Sequence, residues 1–265
     1  MARISRQDRR LLPRYKHHYH KYAAEHGVES ETELVKKVVS WLLQPKFTVF
    51  LIVANAAMFF WSRTWTEAYF ESLVFRPEAL LSLNFTPMIA SWFLHASTAH
   101  LTANLIFLFV FGRAVERRFG LIRTALIYFG AAIISDVVSG LVFQQGGIGA
   151  SGAIAGLIAA AIIVDPFYLN YIVFGLPIPI VVLGWVAIFA DMSAIIAQVS
   201  GVMVQTNIGH AAHLAGFFGI TLLIFLLNRK DEKIRLGFLV NILTVIAGFA
   251  VNYFFPDIIA RFVKK

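Results

Sequence analysis

The feature that most constrains this chain is a succession of seven apolar stretches, at about 47–62, 88–111, 121–143, 150–164, 177–199, 206–227 and 236–255. A helix needs about 20 such residues to cross the hydrocarbon of a bilayer, and the fourth stretch is short. Charged residues make up 14% of the 265 residues and gather between the stretches, whereas a soluble domain carries about 25%. The expected fold is therefore an all-α, polytopic helical bundle in a membrane.

The polar remainder sets orientation. The formal net charge is +8, but Lys and Arg border the apolar spans, which marks a membrane orientation signal rather than a nucleic-acid surface. With the N-terminus inside, 18 of the 23 basic residues fall on inner segments and 5 on outer ones. The first 46 residues are too polar for a cleavable signal, and the N-terminus is expected in the cytoplasm of a cell-membrane protein. The domain expectation is a basic segment 1–46, rich in histidine (His17, His18, His20), a six-helix core over 47–227, and an inner loop, seventh helix and tail over 228–265. Ser30-Glu31-Thr32-Glu33 fits a capping box before an amphipathic helix, Leu34 to Leu43, suited to a membrane interface. Trp61, Trp65, Tyr69 and Phe85 place the long link 62–87 at the interface as well. With no cysteine, thiol nucleophiles, Cys–zinc sites and disulfides are excluded.

Polar residues inside spans are costly, so each needs a reason. Ser151 opens span four within Gly149-Ala-Ser-Gly-Ala-Ile-Ala-Gly156. A helix start offers unpaired N–H groups that can stabilise an oxyanion, and Gly152 and Gly156 let a neighbouring backbone come close. In span six His213 shares a face with Gly209 and Gly216, so it can approach such a helix and serve as general base. His210 is a weaker competitor. In span two His100 and Asn104 are i,i+4 and both can donate hydrogen bonds to developing negative charge; His95 belongs to the preceding loop or first turn. Each segment taken alone also has a plain helix-packing explanation. Spans two, four and six all begin on the same side of the membrane, which brings a nucleophile, a base and oxyanion donors to one level.

On these residues the sequence resembles the rhomboid family of intramembrane serine proteases, over roughly 85–227. The nucleophile motif Gly-x-Ser-Gly is met by Gly149 to Gly152, the catalytic-histidine motif by Ala212 to Gly216, and the second-helix signature by His95, His100 and Asn104. Gly112, Glu116 and Arg118 meet a structural motif of the family. The resemblance implies six core helices plus a seventh, and a serine endopeptidase that cuts transmembrane segments. It implies a Ser151–His213 dyad without an acid, which fits the lack of an Asp beside His213. His100, Asn104 and the Ser151 N–H would bind the oxyanion, with Gly149, Gly152, Gly156, His95 and Gly216 supporting. No metal or other cofactor is expected; the expected partners are transmembrane protein substrates and membrane lipids. Ala155 stands where the family often has an aromatic residue against the histidine, and Gly219 comes one residue early.

Other chemistries fit less well. Asp136 and Asp191 inside spans three and five suggest an aspartyl pair, but neither lies in a Gly-x-Gly-Asp setting. A zinc protease would need His-Glu-x-x-His, which is absent. No inverted repeat suggests a transporter. The alternative of another class is a non-catalytic rhomboid-like protein that binds transmembrane helices.

Overall fold

The computed structural model describes residues 31–168, 171–173, 176–199 and 209–254. The His-rich N-terminal residues, the Ser30 cap and the basic tail at Arg261, Lys264 and Lys265 lie outside the described residues. The chain divides into two compact units between Gln44 and Pro45. The first contains α1 (Glu31–Leu43). Val35, Val39, Leu42 and Leu43 are exposed along it, at the i, i+4, i+7, i+8 spacing of an apolar stripe.

The second unit opens with α2 (Lys46–Ser62). Three short helices follow, α3 (Glu67–Ser72), α4 (Glu78–Leu81) and α5 (Phe85–Ser91). A longer rod comprises α6 (Thr98–Phe107), a π turn (Leu108–Gly112) and α7 (Arg113–Phe119). Then come α8 (Leu121–Phe143), α9 (Ser151–Val164), a hairpin of β1 (Tyr171–Val173) and β2 (Leu176–Ile178), α10 (Ile180–Val199), α11 (His210–Asn228) and α12 (Glu232–Phe254). Among the described residues, five helices are long and apolar enough to cross a membrane: Thr98–Phe119, Leu121–Phe143, Ile180–Ala197, His210–Asn228 and Glu232–Phe254. Lys46–Ser62 and Ser151–Val164 are shorter apolar helices. Large apolar side chains such as Ile122, Leu126, Leu222 and Leu243 are exposed, as lipid-facing residues must be. The protein is a multi-pass integral membrane protein built as a helical bundle.

Three boundaries differ from the sequence expectation. The second stretch, expected over 88–111, is broken: α5 stops at Ser91 and the crossing helix starts at Thr98. The cause is Ser97, an extended N-cap (φ −146°, ψ 162°) whose hydroxyl accepts from the His100 N–H at 3.1 Å; such a cap fixes a helix start. The link between the second and third stretches, 112–120, is helical to Phe119 and is interrupted at Gly120 with φ +77°. The fifth stretch, expected from 177, becomes helical at Ile180, because Pro177 pairs in the β-hairpin with Ile172.

Glu116 explains how the first and second apolar segments are tied. Its Oε1 accepts from the Phe47 N–H at 2.9 Å, and its Oε2 from the Thr48 N–H and hydroxyl at 2.8 Å each. These satisfy orphan donors at the start of α2. Gly112 makes room for the contact, since a Cβ there would meet Thr48 Oγ1 at 2.9 Å.

Helix α9 is the axis of the bundle. Twelve of its 14 residues are buried, and it packs against α8, α10, α11 and α12. Fourteen residues rise about 21 Å, short of the ~30 Å hydrocarbon core. Wrapped by other helices, α9 need not span, and its first residue can lie below the membrane surface. The seventh apolar helix is no appendage. Asn241 of α12 donates from Nδ2 to the Ala159 carbonyl at 3.2 Å and to Thr221 Oγ1 at 3.0 Å. A Cβ at Gly237 would lie 1.9 Å from the Ile163 carbonyl oxygen, so the two backbones touch.

Candidate active site

Ser151 is the first residue of α9, where a backbone N–H has no intrahelical acceptor. The loop that delivers it is pinned at two points. Gly147 and Phe75 exchange backbone hydrogen bonds at 3.0 and 3.2 Å, and the Gly149 N–H donates to the Ser91 carbonyl at 2.8 Å. Phe75, 1% exposed, anchors the link 62–87 in the core; the sequence suggested only the interfacial aromatics of that link. Gly149 has φ +118°, and a Cβ there would lie 2.8 Å from His100 Nε2 and 3.8 Å from Ser151 Oγ. Only glycine suits both the backbone angle and the approach of the imidazole.

Small residues set the distance between α9 and α11. A Cβ on Gly216 would lie 2.3 Å from the Gly152 carbonyl oxygen and 2.6 Å from Ser135 Oγ. One on Gly152 would meet the same Ser135 hydroxyl at 2.6 Å, and one on Gly156 would meet Ala131 Cβ at 2.3 Å. Helices α8, α9 and α11 therefore meet at backbone contact, as glycine-rich membrane helices do. Gly219 is part of the seam: its Cβ would strike Ile134 Cγ2 at 2.6 Å. His213 stands one turn before Gly216 and Ser151 one residue before Gly152.

A cavity of about 290 Å³ opens above this seam. His100, Asn104, Ser151 and His213 line it, together with Asp191, His210 and Ala155. Asn104 donates from Nδ2 to the His100 carbonyl at 2.9 Å, which leaves its second amide hydrogen to spare. His95 does not line the cavity. It is buried beside His100, ring centroids 4.9 Å apart, and its Nδ1 lies 3.3 Å from the Phe93 carbonyl. Burial, and then the neighbouring His100, push its pKa down to about 4, so at neutral pH it is an uncharged support.

The structure corrects the expectation that no acid lies beside His213. Asp191 of α10 places Oδ1 2.9 Å from His213 Nδ1 and 2.7 Å from His210 Nδ1. A carboxylate oxygen only accepts, so both imidazoles donate from Nδ1. The sequence offered one hint, that a lone carboxylate within a span needs a partner. Asp136 accepts from Trp92 Nε1 at 2.6 Å in a second, smaller cavity, which Ser151 also lines but Asp191, His210 and His213 do not. The two aspartates share no hydrogen bond and no cavity, which removes the aspartyl pair.

Asp191, His210 and His213 also form a ligand-type set, with atoms within 4.8 Å of one another. Ligands around a tetrahedral zinc stand about 3.3 Å apart, whereas Asp191 Oδ1 is at hydrogen-bond distance from both rings. The cluster is arranged as a hydrogen-bonded network.

The fold and cavity define a helical membrane protein with a serine- and histidine-lined chamber at the start of its central helix. A profile of the Rhomboid domain matches residues 83–230, more than half of the chain, and the chain belongs to the rhomboid family. It is 31% identical over 150 residues to Rhomboid-like protein 11, chloroplastic, of Arabidopsis thaliana, covering 53% of this chain and 52% of that one. It is 27% identical over 186 residues to RHOMBOID-like protein 12, mitochondrial, of the same plant, covering 63% and 54%. It is 30% identical over 128 residues to Rhomboid protease GlpG of Haemophilus influenzae, covering 48% and 62%. The chain thus spans about half the length of these plant relatives.

Proposed function

We propose that the chain is an intramembrane serine endopeptidase that cuts transmembrane segments of membrane proteins. The observation that carries this is the single cavity lined by Ser151, His213, His100 and Asn104. Ser151 Oγ attacks the scissile carbonyl carbon while His213 takes its proton at Nε2. The Ser151 N–H, Asn104 Nδ2 and His100 receive the negative charge on the carbonyl oxygen. Protonated His213 then gives its proton to the leaving amine, and water hydrolyses the acyl-enzyme by the same base. Substrate is a single-span protein whose scissile bond has left its helix, because helical hydrogen bonding occupies the carbonyl; helix-breaking residues favour that step. The basic bias supports a cytoplasmic N-terminus, with cleavage toward the outer side, and the cell membrane is the location that goes with this reading.

The test uses purified protein in proteoliposomes, a model transmembrane substrate and a fluorophosphonate probe. Wild type should cleave and be labelled at Ser151. Ser151→Ala and His213→Ala should insert normally and do neither. Cleavage by folded Ser151→Ala at the wild-type rate would overturn the proposal. Substrate capture without cleavage or labelling by wild type would instead favour a non-catalytic rhomboid-like binder, the alternative that relatives named rhomboid-like rather than protease keep in view.

A further inference from the structure

The proposed chemistry assigns no task to Asp191, yet this side chain is 7% exposed and both of its described histidine contacts converge on one oxygen. Burying a carboxylate in a membrane helix is costly, and it is tolerated where donors satisfy the charge. His210 and His213, three residues apart at the start of α11, supply two. The chamber is otherwise poorly equipped to hold an imidazole. Ala155 presents only a methyl to it, and the neighbouring lining from α9 and α10 is aliphatic, as at Ile154, Ile158 and Ile188.

We infer that Asp191 is a positioning residue that completes a Ser151–His213–Asp191 relay, with His210 as a second anchor on the same carboxylate. The inference rests on the protease proposal above. Its core is the tautomer of His213. A histidine ring that carries its proton on Nε2 cannot take one from a serine at that atom. The hydrogen bond made by one ring nitrogen decides which nitrogen is protonated. With Nδ1–H held by Asp191 Oδ1 at 2.9 Å, Nε2 is left as the basic nitrogen, on the far side of the ring from α10. When that nitrogen receives the Ser151 proton, the positive ring lies against a carboxylate in a low-dielectric site, where the attraction is strongest. His210, at 2.7 Å from the same oxygen, holds the carboxylate in place while the charge on His213 comes and goes. A contact that merely joined α10 to α11 would fix the same tautomer, but turnover would not depend on the charge of the carboxylate.

Asp191→Asn keeps the shape and removes the charge. Measured on the full chain in proteoliposomes, it should lower kcat by about 10⁴-fold, the order found when the acid of a serine triad is replaced. KM should stay within about twofold, because Asp191 acts on the reacting groups and not on substrate binding. Phosphonylation of Ser151 should slow in parallel. In ¹⁵N-histidine spectra of wild type, His213 should be protonated on Nδ1, and in Asp191→Asn the proton should move to Nε2. A folded Asp191→Asn protein with wild-type kcat overturns the inference, as does a wild-type His213 protonated on Nε2. A wild-type His213 protonated on Nε2 overturns the inference even if the variant does not fold. Failure here is separable from failure of the protease proposal: inactive Ser151→Ala beside fully active Asp191→Asn removes only Asp191's role, whereas active Ser151→Ala removes both.

Discussion

Gly216→Ala isolates the contact that assembles the site. The new methyl would lie 2.3 Å from the Gly152 carbonyl oxygen, and ordinary van der Waals contact begins at 3.4 Å. The carbonyl is part of α9 and cannot swing aside, so α11 must withdraw by about 1 Å in a core that is close-packed. Gly216 is three residues from His213 and Gly152 adjoins Ser151, so nearly the whole displacement reaches the proposed reacting pair. A misplacement of about 1 Å costs about 10²-fold in turnover. Overpacking should separately cost about 1–3 kcal/mol of stability. Gly130→Ala on α8 is the matched control, since a Cβ there meets nothing within 4 Å; its turnover should stay within about twofold of wild type. The assay is the initial cleavage rate in proteoliposomes with the labelling rate of Ser151, beside thermal unfolding in detergent to show that each variant is folded. A folded Gly216→Ala protein with wild-type turnover would refute the argument that the glycine seam sets the Ser151–His213 geometry.

Loss of either proposed side-chain oxyanion donor, as His100→Ala or Asn104→Ala, should lower kcat by about 10²–10³-fold without abolishing it; full activity in both, in the same cleavage assay, would reduce them to packing residues. Glu116→Ala should lower the melting temperature markedly with little effect on the residual specific activity of the folded fraction. It strips the start of α2 of three charge-assisted hydrogen bonds, each worth about 1.5–3 kcal/mol. Activity should survive a strong metal chelator, and folded Asp136→Asn should retain it too, since Asp136 binds Trp92 outside the chamber; inactivation by chelator would show that the Asp191, His210 and His213 set holds a metal needed for turnover.

The supporting shell accounts for residues that pure catalysis would leave idle. Gly149 exists to let His100 approach, Ser91 and Phe75 fix the loop before Ser151, and Glu116 closes the far end of the bundle. Helix α12 belongs to this shell, since Asn241 and Gly237 bear on the C-terminal half of the helix whose first residue is Ser151.

Among the described residues, hydropathy alone indicated where the apolar helices lie, because the free energy of moving a residue into lipid is a property of that residue and sums along the chain. The motifs singled out Ser151, His213, His100 and Asn104, which line one cavity, for the same kind of reason: helix starts and i,i+4 faces are local geometry. What sequence could not supply was the identity of partners across helices. Asp191 meets His213 from 22 positions away, Glu116 caps a helix 69 positions earlier, and Asn241 reaches back 82 positions to Ala159. Each pairing depends on which face of one helix is turned to another, and at what depth. Glycine contacts measured in tenths of an ångström fix that rotation and depth, and they exist only once the whole bundle has packed.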